Sequence, residues 1–96
     1  MLNSKQRSYL RSMAQGMSDT IYVGKEGVDR NVIVQLNKEL TANELVKGKV
    51  LNNSDEDVRQ VAERLSDACS AEVVQIIGKK FVLYKKNKEK QRIILP

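Results

Sequence analysis

The sequence predicts a single α/β domain: a four-stranded mixed sheet with packed helices, in the order α-β-α-β-α-β-β. Three observations carry that expectation. Apolar residues recur at helical spacing in three separate segments, short β-branched runs stand between and after them, and the last two runs are joined by Gly78-Lys79-Lys80, a tight-turn signal. Alternating strands and helices imply right-handed crossovers and a largely parallel sheet, to which the final hairpin adds an antiparallel strand. The 96 residues suffice for one core. The single proline is the last residue, Pro96, so no linker divides residues 1–96.

The first helix spans roughly Lys5 to Gln15. Ser4 is its expected N-cap, Gly16 its stop, and Leu10, Met13, Ala14 and Met17 its apolar stripe, with Arg7 and Arg11 one turn apart along the flank. A strand follows at Thr20 to Val23. After the loop Gly24-Lys25-Glu26-Gly27, a second helix runs from about Arg30 to Thr41, capped by Asp29, with Val32, Ile33, Leu36 and Leu40 inward. Leu45 to Leu51 alternates, so Val46, Gly48 and Val50 share one face while Lys47 and Lys49 give the other a wet, basic character. Ser54 with Asp57 resembles a capping box for a third helix, whose stripe is Val58, Val61, Ala62, Leu65, Ala68 and Cys69. Cys69 on that stripe reads as a small core residue. Glu72 to Ile77 and Phe81 to Tyr84 complete the sheet as a hairpin.

Composition excludes several classes. No apolar run approaches the length of a spanning helix, the N-terminus lacks the apolar core of a secretion signal, and the lone cysteine cannot form an internal disulfide, so a cytoplasmic location is expected. There is no histidine, which removes the commonest general base and zinc ligand, and no nucleotide-binding or hydrolase motif occurs. The acids, among them Glu39, Glu44 and the Asp55-Glu56-Asp57 run, read as caps and exposed faces. No catalytic residue, metal site, cofactor or small-molecule substrate is assigned.

The net charge of +5 is localised. Residues 79–96 hold seven basic side chains against one acid, a net of +6, while the other 78 residues net −1. Such a cluster is the electrostatic footprint of a polyanion binder, since each neutralised phosphate releases condensed counterions; a solubilising tail has the same composition. Residues 85–96 form a basic C-terminal extension of the domain. Because it closes with Ile93-Ile94-Leu95, part of it is expected to dock on the body or on a partner.

A strand, a glycine loop with a lysine, and a helix together make a phosphate-holding device. The glycines let the chain turn sharply and let a ligand approach the backbone, and the helix offers its positive end. Two glycines three apart are also an ordinary turn, so the tetrapeptide gains its meaning from its surroundings. The runs LNSKQRSYLRSMA (2–14), IYVGKEGV (21–28), LNKELTANELVKGKV (36–50) and LSDACSAEVVQIIGKKFVLYKK (65–86) together resemble the CRM domain in its stand-alone bacterial form, the YhbY-like RNA-binding proteins. The most specific pieces are the glycine loop, the ELVK segment leading into the second strand and the GKKFVLYK hairpin.

The resemblance covers residues 2–86. It implies a fold similar to the C-terminal domain of translation initiation factor three, and RNA binding without chemistry. The family's bacterial members are associated with precursors of the large ribosomal subunit and its plant members with intron splicing. Its G-x-x-G loop falls on Gly24, Lys25, Glu26 and Gly27, similar to the loop with which KH domains clamp a nucleic-acid backbone. Three positions depart from the pattern. Asp19 stands for a usual proline and Gly48 for an apolar residue, which points to a bulge or a weakened strand; Lys85 replaces an arginine and forgoes its bidentate contact.

The expected RNA contacts are therefore Gly24 to Gly27, Arg7 and Arg11, and Lys79, Lys80, Lys85 and Lys86. Backbone N–H groups of the loop and of the second helix's first turn hold a phosphate, with Lys25 adding charge. Tyr9, Tyr22, Phe81 and Tyr84 are the only aromatics, and Phe81 belongs to the core, so recognition of backbone shape in structured RNA is expected over a stacking platform. The expected partner is ribosomal RNA or the pre-ribosomal large subunit, bound by a monomer with no membrane involvement. Two other readings use the same residues: a general DNA- or nucleoid-binding protein, and a protein-interaction module docking through Ile93 to Leu95.

Overall fold

The elements follow in the predicted order: α1 (Ser4–Gln15), β1 (Ile21–Val23), α2 (Arg30–Asn43), β2 (Leu45–Val50), α3 (Val58–Cys69), β3 (Glu72–Ile77) and β4 (Lys80–Tyr84). This is a computed structural model, and it describes residues 2–96. The strands form one sheet in the order β1-β2-β4-β3, with β1 parallel to β2 and the other two pairs antiparallel. β1, β2 and the loops after them therefore share one end of the sheet with the β3–β4 turn. At that turn Gly78 takes φ +56, which only glycine adopts freely, and Gly78-Lys79 closes a two-residue hairpin.

Both faces of the sheet are covered. On one, α2 and α3 pack Leu36, Leu40, Val61, Ala62, Leu65 and Cys69 against Ile21, Val23, Val46, Val50, Phe81 and Leu83. On the other, α1 brings Leu10 and Ala14 onto Leu45, Val74, Val82 and Tyr84, and Ile93 and Leu95 of the C-terminal extension complete that cluster. The extension thus docks on the body of the domain, while Ile94 remains 81% exposed. Phe81 lies in the core, fully buried.

Several local expectations are corrected. Asn3, not Ser4, caps α1, in a capping box with Gln6: Gln6 N–H donates to Asn3 Oδ1 (2.8 Å) and Asn3 N–H to Gln6 Oε1 (3.2 Å). Asp57, not Ser54, caps α3, its carboxylate accepting from Arg59 N–H, while buried Ser54 turns the preceding loop by accepting from Glu56 N–H. Met13 and Ala68 lie on exposed flanks, and Ser66 is buried instead. Gly48 carries no bulge. It pairs in register with Ile21 and Phe81, and the Phe81 ring occupies the space beside it, since a Cβ there would stand 2.4 Å from Phe81 Cζ. The irregularity lies in β3, between Val73 and Gln75.

The wet, basic face expected of β2 is also corrected. Lys47 is half-buried, and its ammonium donates to the carbonyls of Ala14 (3.1 Å) and Met17 (3.4 Å) at the C-terminal end of α1, where the helix dipole favours a cation. Glu44 lies on no exposed face. It is fully buried, with φ +66, and its N–H closes α2 onto Leu40 O (2.8 Å).

Candidate nucleic-acid interface

The glycine loop starts one residue after β1. Gly27 N–H donates to Gly24 O (3.0 Å), closing a four-residue turn that leaves Lys25 and Glu26 at its exposed tip. Gly27 adopts φ +70, and a Cβ on it would approach Glu56 Oε1 to 2.8 Å, so both backbone conformation and packing require glycine there. Leu51 N–H donates to Val23 O (2.8 Å), tying the loop after β2 to the base of the turn. Behind it, Asp29 caps α2 by accepting Val32 N–H (2.9 Å). The anion-attracting end of α2 thus already carries a carboxylate, and with Gly27 buried against Glu56 and Gly24 facing Leu51 and Asn53, the loop's share narrows to its exposed tip and the Lys25 side chain.

Register gathers further residues at this end. Tyr22 is the partner of Lys49, Lys49 of Lys80, and Lys80 of Ile77, so these four form one row across all four strands. The row lies on the face that α1 covers lower down, beyond that helix's C-terminal end. Tyr22 is 51% and Ile77 59% exposed. Lys80 Nζ stands 3.3 Å from Asp19 Oδ2, and Tyr22 Oη donates to Asp19 O (3.0 Å). Lys79, exposed, sits at the hairpin tip, its carbonyl accepting Val50 N–H (2.8 Å).

The remaining expected contacts lie elsewhere. Arg7 is half-buried and donates through Nη1 to the carbonyls of Val73 and Val74, so it braces α1 against the β3 irregularity. Arg11 is exposed one turn further along α1. Lys85 and Lys86 follow β4 at the opposite end of the sheet, where an open groove of about 380 Å³ runs between α2 and the extension, lined by Leu40, Thr41, Lys85, Lys86, Asn87 and Lys88 together with Glu89. Lys38 stands beside Lys85 on the α2 side.

Glu44 organises that second end. Its Oε2 accepts Asn87 N–H (2.7 Å), its Oε1 accepts Arg92 N–H (2.6 Å) and Ile93 N–H (2.7 Å), and its carbonyl accepts Lys85 N–H (2.9 Å). Burial pushes this carboxyl's pKa up, but the N–H donors of Asn87, Ile93 and Arg92, with the Arg92 charge, more than reverse it and hold it below the usual carboxylate value. Asn87 Nδ2 adds a bond to Thr41 O (2.9 Å). Nearby, burial first and then the charges of Glu44 and Glu72 raise the pKa of Tyr84. Burial likewise raises that of Cys69, in keeping with its core position.

Of the residues read from sequence, the structure brings together Gly24 to Gly27, Lys79 and Lys80, and sets Arg7, Lys85 and Lys86 apart from them. Sequence reasoning passed over Tyr22 and Lys49 as contacts. The alternation of Ile21-Tyr22-Val23 and of β2 placed both on one face, but only the strand order makes them neighbours of Lys80 and Ile77. No three His, Cys, Asp or Glu side chains gather as a metal site among the described residues. No helix among them is long and apolar enough to cross a membrane.

Comparison with known proteins agrees with the fold. A family model of the CRS1/YhbY (CRM) domain matches residues 2–85. The chain is 45% identical over 96 residues to the probable RNA-binding protein YqeI of Bacillus subtilis, covering all of both chains. It is 28% identical over 95 residues to an RNA-binding protein of Haemophilus influenzae, covering 99% of this chain and 95% of that one. Among solved structures, the hypothetical protein SAV1595 of Staphylococcus aureus superposes with a TM-score of 0.83 at 42% identity, over the full length of both.

Proposed function

The chain belongs to the CRS1/YhbY (CRM) domain family, and on that premise we propose that it is a non-catalytic, cytoplasmic RNA-binding protein whose target is structured ribosomal RNA in precursors of the large ribosomal subunit. The observation that carries the reading is the convergence at one end of the sheet. Two strand ends and one hairpin turn, far apart in sequence, set the Gly24 to Gly27 loop, Lys49, Lys79 and Lys80 side by side. Ammonium groups at fixed spacing neutralise successive phosphates, and the exposed tip of the loop adds Lys25 to them. The basic extension adds a second group of lysines at the opposite end of the sheet. RNA-binding names carried by relatives in the same family support the choice of RNA.

The test compares a folded ribosomal RNA fragment with duplex DNA of equal length across a salt series. Tighter binding to the RNA at every salt concentration supports the reading, and equal binding favours a general nucleic-acid or nucleoid role. Crosslinking in cells followed by sequencing of the bound RNA identifies the target, and recovery of RNAs without large-subunit precursor sequences removes the ribosomal part of the proposal.

A further inference from the structure

We infer that the upper sheet face is a stacking site for an unpaired nucleotide, with the base on Tyr22 and its phosphate between Lys49 and Lys80. This inference rests on the RNA-binding reading and deepens it. Three features of the row are unexplained by folding. Lys49 and Lys80 face each other directly across β2 and β4, an arrangement that repels in an isolated sheet, and Asp19 pairs with only the second. Tyr22 and Ile77, at the two ends of the same row, each leave more than half their surface in water. Tyr22 also directly precedes Val23 and the glycine loop, so a strand of nucleic acid tracking along the loop passes its ring.

One occupant resolves all three. A phosphate bridging the two ammonium groups relieves their repulsion, a base covers the phenol ring, and Ile77 offers apolar surface to a neighbouring ribose. A regular duplex keeps its bases stacked inside and presents no free base face, so the site selects an unpaired nucleotide in a loop, bulge or single strand. With one exposed ring in the row, the device reads one base, unlike a sheet platform bearing several aromatics.

The experiment compares an oligoadenylate of about ten nucleotides with a blunt RNA duplex, on wild type, Tyr22→Ala and Tyr22→Phe. Tyr22→Ala is expected to weaken single-strand binding by about five- to a hundredfold and to leave duplex binding within about twofold, while Tyr22→Phe keeps wild-type affinity for both. The sequence has no tryptophan, so Tyr22→Trp supplies a single indole whose fluorescence is quenched by the oligoadenylate and not by the duplex. Unchanged single-strand affinity in Tyr22→Ala, equal losses on both RNAs, or an unquenched indole overturns the stacking site alone. Wild type that binds neither RNA overturns the RNA-binding reading and this inference together.

Discussion

The two ends of the sheet are both rich in lysine and hold it by opposite means. At the glycine-loop end, the charges stand on strand and turn positions fixed by register, with a single carboxylate, Asp19, against Lys80. At the other end, Lys85, Lys86, Lys88 and Lys90 ride on a chain without regular structure, whose path is set by one buried carboxylate accepting three backbone N–H groups. A sheet positions side chains through its ladder, whereas an irregular segment needs an anchor, and a buried anion with several donors is the strongest available in a small core. Each arrangement fails in its own way, and substitutions separate them.

The largest effect is expected at the anchor. Glu44→Ala leaves the Asn87, Arg92 and Ile93 N–H groups without their acceptor and costs about 3–5 kcal/mol, read as a lower urea midpoint with loss of amide-exchange protection at Arg92 and Ile93. The glycine-loop end should keep its RNA affinity under conditions where the variant is folded. A midpoint unchanged from wild type would mean that Ile93 packing alone holds the extension.

Next is Gly48→Ala, expected to cost about 1–3 kcal/mol because its Cβ meets the Phe81 ring at 2.4 Å. Adding Phe81→Leu should recover part of the loss relative to the sum of the two single variants. Strict additivity in that cycle breaks the claim that the ring and the missing side chain share one space.

Acid tests the anchor without mutation. Because the Glu44 carboxyl has its pKa depressed in the folded state, its contribution is fully present above the ordinary carboxylate value and is lost as pH falls through the lower folded value. Protection at Arg92 and Ile93 should therefore fade over that acid interval. Glu44→Gln should show no such step.

Smallest are the single surface charges. Lys25→Ala should lower the salt slope of binding to single-stranded RNA by up to about 0.7 with the fold intact, and an unchanged slope removes Lys25 from the interface. Replacing Lys86, Lys88 and Lys90 together by Gln keeps the anchored backbone and should weaken all RNAs about equally. Loss confined to one RNA would make the extension a specificity element.

Element order, helix faces and the final hairpin were legible because they depend on local periodicity and turn chemistry: the α3 stripe, Asp29 as a cap and Gly78 in its turn all follow from neighbours in sequence. Residues whose roles depend on distant partners were not. Lys47 read as wet until α1 was seen to end on it, and Arg7 read as an RNA contact although it donates to two β3 carbonyls. Glu44 read as one of several acids at helix caps and exposed faces, and although it does cap α2, nothing near it in sequence reveals the N–H groups more than 40 residues away that its buried carboxylate satisfies.

By itself, then, the sequence determined the helices, the strands, the glycine loop and the basic terminus, since each is written in short-range spacing and composition. Only the tertiary structure decided which charges face solvent together and which are spent inside. The strand order β1-β2-β4-β3 aligned Tyr22, Lys49, Lys80 and Ile77, and the return of the chain over the sheet gave Glu44 its donors. The reason is physical: an ammonium or carboxylate has the same chemistry anywhere in the chain, and what it does depends on the dielectric and the partners that long-range packing brings to it.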